Sequence, residues 1–378
     1  YNNDGEVANN EAHVFDFIRE IRHQENFNTG NYWRNQGVDL AWSLGFDKYV
    51  KSIDFTTFMI RNKSLNDGKT PDRLQGGGRM VFNFNEKSYL GANYINLFDI
   101  PQTVSKTSYE KYSNGVATVN AHIDANLLYV FGEGGVSSID YTDTSDAKTV
   151  DVNGTFFEIG LGKLLAKDQL KTELSFRRVD QNFFSAGAQS KRINYTSQVN
   201  VLPTVGQNSY ARAISLLDLV TDDAIYNQSI SFGLMDYEMI FNNVTPYGKA
   251  TPNRQGFDLA VSYADADGKY DTKIDAQFLQ DVAGQGSDKK KNYLLACWSG
   301  NVNFDKMFQW KKSVSMSAGY QFASANRDED RVYKQSSALV EAVDLHSHTI
   351  DLGTSIEVIN RLDLLLGPKM LFYKRSDF

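Results

Sequence analysis

Residues 117–129 read Ala-Thr-Val-Asn-Ala-His-Ile-Asp-Ala-Asn-Leu-Leu-Tyr. Ala117, Val119, Ala121, Ile123, Ala125, Leu127 and Tyr129 fall on one side of an extended chain, and Thr118, Asn120, His122, Asp124 and Asn126 on the other. Successive side chains of a β-strand point to opposite faces, so this stretch predicts a strand with one apolar and one polar face. It is longer than the roughly 9–11 residues that a tilted strand needs to cross a bilayer, and well beyond the about 5–6 residues usual in soluble sheets.

The same alternation recurs along the chain. Leu40, Trp42, Leu44 and Phe46 show it, as do Met80, Phe82 and Phe84, then Leu90, Ala92 and Tyr94. Phe157, Ile159 and Leu161 follow, then Leu170, Thr172, Leu174 and Phe176. The second half repeats it from Phe257 to Tyr263, Tyr270 to Phe278, Leu294 to Phe304, Val314 to Phe322, Ile350 to Val358 and Leu362 to Leu366. A soluble two-layer sandwich also alternates, but these strands are too long for one and carry Tyr, Phe or Trp near their ends. The polar faces, with Lys171, Glu173, Ser175 and Arg177 as one example, are not expected to form a dry core.

Short links near 46–52, 85–88, 164–168, 264–269 and 359–361 alternate with long ones near 62–75, 100–114, 142–152, 179–255, 281–289 and 324–344. Five of the six prolines (Pro71, Pro101, Pro203, Pro246 and Pro252) fall in the long links, and Pro368 requires a bulge or a strand end. Aromatic residues make up 13% of the 378-residue chain, which suits strands better than helices. No stretch approaches the roughly 18–20 apolar residues of a membrane-spanning helix. Acids and bases are interleaved at a net charge of −7, which gives no basic stripe for nucleic acid. The lone cysteine, Cys297, excludes an internal disulfide and a cysteine-based metal site.

Alternating strands, aromatic ends and short–long loops together resemble bacterial outer-membrane β-barrel proteins of the porin and transporter type. The richness in Asn, Tyr and Phe is similar to barrels of the Bacteroidetes group. The resemblance is architectural and covers nearly the whole chain. It implies an all-β, transmembrane, antiparallel up-and-down barrel in a Gram-negative outer membrane. Partners would be outer-membrane lipid and lipopolysaccharide, together with further copies of the chain or other outer-membrane or periplasmic proteins. It implies no cofactor.

Counting from Val38, with a hairpin at Gly132 to Gly135, gives 14 strands in residues 38–378 and leaves both termini on the side of the long loops. An upward strand at Ala12 to Arg22, with a closing strand beyond Phe378, would make 16. Val14, Phe17, Ile18 and Ile21 fit a short amphipathic helix equally well, so residues 1–37 supply either an extra strand or a periplasmic or plugging segment. Phe378 resembles the terminal aromatic of the family's assembly signal.

The insertion at residues 180–254 far exceeds ordinary loop lengths. A short helix is expected at Ser209 to Val220 and a strand-like piece at Ser229 to Phe241, which would form a constriction, a plug or a docking platform.

Inward positions predict a lumen lined by Asp39, Arg79, Asp124, Glu158, Lys171, Glu173, Arg177, Asp271, Asp275, Asp351 and Glu357. With Asp258, Asp363, Lys273 and Lys369 added, acids number ten against five bases. An open bore would then favour cations modestly, unless the charges pair across a closed one.

Other patterns carry less. His346 and His348 share a strand face but lack a third ligand, so no metal site is expected. Asp267-Gly268 reads better as a tight hairpin turn than as a calcium loop. Ser347 lies between the two histidines on the opposite face, which rules out its activation by them. No catalytic residue is assigned. The expected function is a channel for small solutes, with a plugged barrel serving as scaffold subunit of an outer-membrane assembly as the alternative.

Overall fold

The computed structural model describes residues 36–61, 71–104, 109–125, 128–144, 148–165, 169–185, 244–245, 248–284, 288–332, 338–340, 342–359 and 362–376. The expectations for Ala12 to Arg22, Ser209 to Val220, Ser229 to Phe241 and Phe378 lie outside these residues.

The strands are β1 (Gln36–Gly45), β2 (Ser52–Arg61), β3 (Asp72–Asn83), β4 (Tyr89–Ile100), β5 (Glu110–Asp124), β6 (Tyr129–Asp143), β7 (Lys148–Leu165) and β8 (Leu170–Val179). After the insertion come β9 (Arg254–Ala264), β10 (Tyr270–Gln280), β11 (Asn292–Asn303), a one-turn helix α1 (Phe304–Phe308) and β12 (Val314–Arg327). A small hairpin of β13 (Asp330–Val332) and β14 (Ala338–Val340) precedes β15 (Val343–Ile359), β16 (Leu362–Leu366) and β17 (Lys369–Ser376). Apart from β13 and β14, each strand from β1 to β16 is antiparallel to the one before it within a single 15-stranded sheet, and β17 pairs antiparallel with β15. This is an all-β, up-and-down topology, without the crossovers of a Greek-key sandwich.

β16 and β17 occupy one path. Both pair with β15 in one frame, with Thr354 opposite Leu366 and Asp351 opposite Lys369. Between them Pro368 has no amide to give, although its carbonyl still accepts from the Leu352 amide at 3.0 Å. The sheet therefore has fourteen strand paths, the number expected from Val38 onward. β1 and the β16/β17 path are its two edges, and no ladder joins them among the described residues.

Two sequence expectations need correction. The hairpin between β5 and β6 lies at Ala125 to Leu128, closed by the Ala125 amide on the Leu128 carbonyl at 2.9 Å. Gly132 to Gly135 are mid-strand instead. A Cβ at Gly135 would stand 2.5 Å from the Ala117 carbonyl oxygen, so that glycine serves close strand approach. The link expected at Thr142 to Val152 is also much shorter, because β7 begins at Lys148 and runs for 18 residues.

Strands are staggered throughout. Following partners across the sheet from Gly45, the last residue of β1, leads through Ser52, Asn83, Tyr89, His122, Phe131, Gly160, Ser175, Asp258, Gln277, Leu295, Ala323 and Ser347 to Tyr373. Tyr373 stands eleven positions beyond Leu362, where the last path begins.

Exposure is inverted relative to a protein folded around an apolar core. On β10, Ile274 and Phe278 are 46% and 58% exposed, whereas Asp275 and Gln277 on the other face are 3% and 1% exposed. Leu40, Trp42, Ile159, Leu174, Phe257 and Trp298 are likewise exposed, all on the same face of the sheet as Ile274.

Candidate functional site

The register places all eleven expected lining residues on the second, largely polar face. Asp39 and Arg79 are exposed there. Most of the rest join a network of ion pairs and hydrogen bonds across β6 to β10.

Arg177 is its largest buried side chain. Its Nη2 donates to Gln277 Oε1 at 3.0 Å, and its Nε lies 3.4 Å from Asp258 Oδ2. Glu158 accepts from Ser175 Oγ at 2.9 Å and from Lys249 Nζ at 2.7 Å. Glu173 accepts from Tyr129 Oη at 2.9 Å and faces Lys171 Nζ at 3.1 Å. Lys273 Nζ lies 3.3 Å from Asp275, and Asn301 Nδ2 donates to Asp271 at 2.8 Å. Towards the short links, Lys87 Nζ lies 3.7 Å from Asp124, while Glu357 accepts the Ser313 amide at 3.1 Å.

This network alters the charge balance expected from the sequence. Asp124, Glu158, Glu173, Asp258 and Asp275 each have a basic neighbour, and two of those bases, Lys87 and Lys249, lie outside the strands. Lys249 and Arg254 were missed by sequence reasoning, and Tyr129, expected on the apolar face of residues 117–129, lies on the polar one because the chain reverses between Ala125 and Leu128. Gln277 sits one hundred positions from the arginine it meets, and nothing short of the register could have joined them.

Towards the long loops this face turns apolar, contrary to the expectation that it holds no dry core. Leu279, Tyr293, Leu295, Cys297, Ala323, Ala325 and Leu345 cluster there with Val244, on the returning arm of the insertion. The departing arm lies on the same face. Phe183 packs with Val116, Val179 and Phe156, its ring 4.9 Å from that of Phe156. Asn114 Nδ2 donates to the Phe184 carbonyl at 3.1 Å, and the Phe184 amide donates to Ser137 Oγ at 3.0 Å. A Cβ at Gly154 would stand 2.3 Å from the Phe183 amide nitrogen, so glycine is what admits the arm. Both described ends of the insertion thus turn onto the polar face.

Two clamps of one design hold this end. Arg73 grips Asp99 through Nε at 2.6 Å and Nη2 at 3.1 Å, lies 4.9 Å from the Tyr112 ring, and Asp99 accepts the Tyr112 amide at 2.9 Å. Arg254 pairs with Asp281 at 3.1 Å and lies 3.7 Å from the Tyr293 ring, while Asp281 accepts from Tyr293 Oη at 2.9 Å and from the Lys291 amide at 3.0 Å. Arg254 Nε also donates to the Val244 carbonyl at 3.0 Å, which ties the returning arm to the sheet.

Among the described residues no group of His, Cys, Asp and Glu is arranged to hold a metal. His346 and His348 lie on the apolar face, with His346 2.7 Å from Asp344 and His348 2.8 Å from Tyr320 Oη. Asp267-Gly268 forms the hairpin turn expected. Gly268 takes φ 66°, and Asp265 accepts the Asp267 and Lys269 amides at 3.2 Å. In that turn the hydrogen bond from Lys269 holds the Asp267 carboxyl below its ordinary value, and the same bond raises the Lys269 ammonium. A search against protein-family models and curated proteins returned no match.

Proposed function

We propose that the chain is a transmembrane β-barrel of a bacterial outer membrane that passes small polar solutes through a bore narrowed by its own insertion. The observation that carries this reading is the inverted exposure: apolar side chains face outward in bulk while charged ones are buried on the same strands. That arrangement suits a sheet with lipid outside and a polar interior. No helix among the described residues is long and apolar enough to cross a membrane, and on this reading the strands are the spanning elements.

Two geometric facts support it. From His348 to Val358 the apolar face of β15 spans ten residues, which at about 3.3 Å each and a tilt of roughly 30–40° covers about 25–29 Å, close to the height of a barrel's apolar band. The eleven-position stagger over fourteen paths would incline the strands by roughly 30°, near the about 35–45° of closed barrels. Strand order also allows closure, since β1 and the β16/β17 path run in opposite directions.

The chemistry of the bore follows from the pairing. Because five of the ten lining acids have basic neighbours, the lumen would carry a weaker negative field than its residue count suggests and would select by size more than by sign. A second reading, a plugged scaffold barrel, draws on the inward course of both arms of the insertion. Single-channel recording of the detergent-purified protein in a planar bilayer separates the two. The channel reading expects steady openings with little preference between potassium and chloride, and larger openings after deletion of residues 186–243. Silence before and after the deletion, in a barrel that arrives with stoichiometric partners, favours the scaffold.

A further inference from the structure

The link between β11 and β12 differs from every other described short link in carrying a helix. It reads Phe304-Asp305-Lys306-Met307-Phe308-Gln309-Trp310-Lys311-Lys312. Gln309, at φ 56°, ends α1 in the left-handed conformation, and the Trp310 amide returns to the Asp305 carbonyl at 2.9 Å. That reversal lays the Trp310 ring against Phe308 at 5.4 Å and Phe304 at 6.4 Å, with Phe304 and Phe308 nearly parallel at 6.3 Å. A fixed aromatic stack is thereby presented outward, with Phe308 56% and Trp310 53% exposed. In water such a cluster is unfavourable, since each ring leaves a large apolar surface wet.

Its setting indicates what covers it. Phe304, the first ring of the stack, follows Trp298 and Val302 in phase on the apolar face of the sheet, which resumes at Val314 opposite Ile356. Lys306, Lys311 and Lys312 flank the rings and are exposed. Lys312 Nζ donates to the Val358 carbonyl at 2.5 Å, at the end of the adjoining strand. Asp305 and Glu357 lie nearby, their carboxylates accepting the Val314 amide at 3.4 Å and the Ser313 amide at 3.1 Å, and the adjoining turn, whose Gly268 carbonyl accepts from Asn303 Nδ2 at 2.7 Å, adds the Asp267–Lys269 ion pair. Aromatic rings beside solvent-exposed lysines suit the boundary between acyl chains and phosphate groups.

We propose that residues 304–312 form a membrane-interface anchor whose rings enter the bilayer boundary and whose lysines bind the phosphates of anionic phospholipid headgroups. The proposal rests on the barrel reading and assigns the short-link end of the sheet to a phospholipid-bearing leaflet. Lysines near a charged surface each contribute roughly a fivefold preference for anionic lipid. One engaged lysine should therefore favour phosphatidylglycerol over phosphatidylcholine about fivefold, and all three together on the order of a hundredfold.

Tryptophan quenching by brominated phospholipids tests it with the whole chain refolded into vesicles. One variant keeps Trp310 alone (Trp33→Phe, Trp42→Phe, Trp298→Phe) and a second keeps Trp298 alone, on the apolar face of β11. We expect deep bromines to quench Trp298 and shallow ones to quench Trp310, the latter more strongly in phosphatidylglycerol. Adding Lys306→Gln, Lys311→Gln and Lys312→Gln should bring the Trp310 signal to its phosphatidylcholine level. Quenching of Trp298 without Trp310 overturns the anchor and leaves the barrel standing. Quenching of neither overturns the barrel reading beneath it. A phosphatidylglycerol preference untouched by the triple substitution overturns the headgroup contact.

Discussion

Ile274 and Asp275 are consecutive residues of β10, yet the isoleucine lies open and the aspartate is enclosed. The same contrast separates Leu174 from Ser175 on β8 and Phe257 from Asp258 on β9. In a water-soluble sheet one face meets water and the other a dry core, and the polar residues are the ones left outside. Here the two roles are exchanged. The lesson is that a strand's alternation fixes which residues share a face, whereas the medium outside fixes which face is the interior. On the reading proposed above, that medium is lipid.

The contrast can be broken from either side. The largest effect is expected inside. Arg177→Met removes one partner of a buried pair and leaves Asp258 without its counter-charge, a loss of about 3–5 kcal/mol. It would appear in urea titrations of the vesicle-refolded protein. The double variant Arg177→Met/Asp258→Leu should recover most of that loss, because an apolar pair of similar volume needs no desolvated charge. A double variant as unstable as the single one would show that the pair does more than neutralise itself.

From outside, on the proposed reading, Ile274→Arg would set a charge against lipid near the middle of the apolar band, and should cost about 2–4 kcal/mol in the same titration. Charge placed on an outward face that truly met water would cost almost nothing, so a neutral result counts against the lipid-facing assignment. A smaller effect, about 1–3 kcal/mol, is expected for Gly154→Val, because the added carbons collide with the backbone of Phe183. Its sharper signature is conductance, which should rise as the departing arm loses its seat.

The least effect belongs to the Asp267–Lys269 turn. The Asp267 carboxyl is depressed, so its contribution is present above the ordinary carboxylate value and fades as pH falls through the lowered one. Lys269 is raised, so its share is present below the usual lysine value and is lost as pH climbs through the raised one. Both ions sit in solvent, where such pairs contribute little. Asp267→Asn should therefore leave the urea midpoint unchanged between about pH 5 and pH 9.

Much of this organisation is written in the residue order. Period-two alternation located the strands, and the Asp267-Gly268 signal located a turn correctly. What failed did so for definable reasons. Gly132, Gly134 and Gly135 resemble a turn but lie mid-strand, Gly135 where the neighbouring strand comes close, while the real turn at Ala125 to Leu128 contains neither glycine nor proline. The polar network was legible only as a set of inward residues. That Arg177 meets Gln277, or that Lys249 neutralises Glu158, depends on stagger accumulated over several strands and on where an inserted arm returns. For the same reason the excess of acids over bases was a poor guide to the field inside.

The most direct test of the central claim is a nitroxide scan along residues 270–280 of β10 in vesicles, comparing accessibility to oxygen, which dissolves in lipid, with that to a water-soluble nickel chelate. The account predicts that Thr272, Ile274, Ala276 and Phe278 are open to oxygen and shielded from nickel, with Asp271, Lys273, Asp275 and Gln277 out of phase. Equal nickel accessibility at Ile274 and Phe278, or no alternation at all, would contradict it.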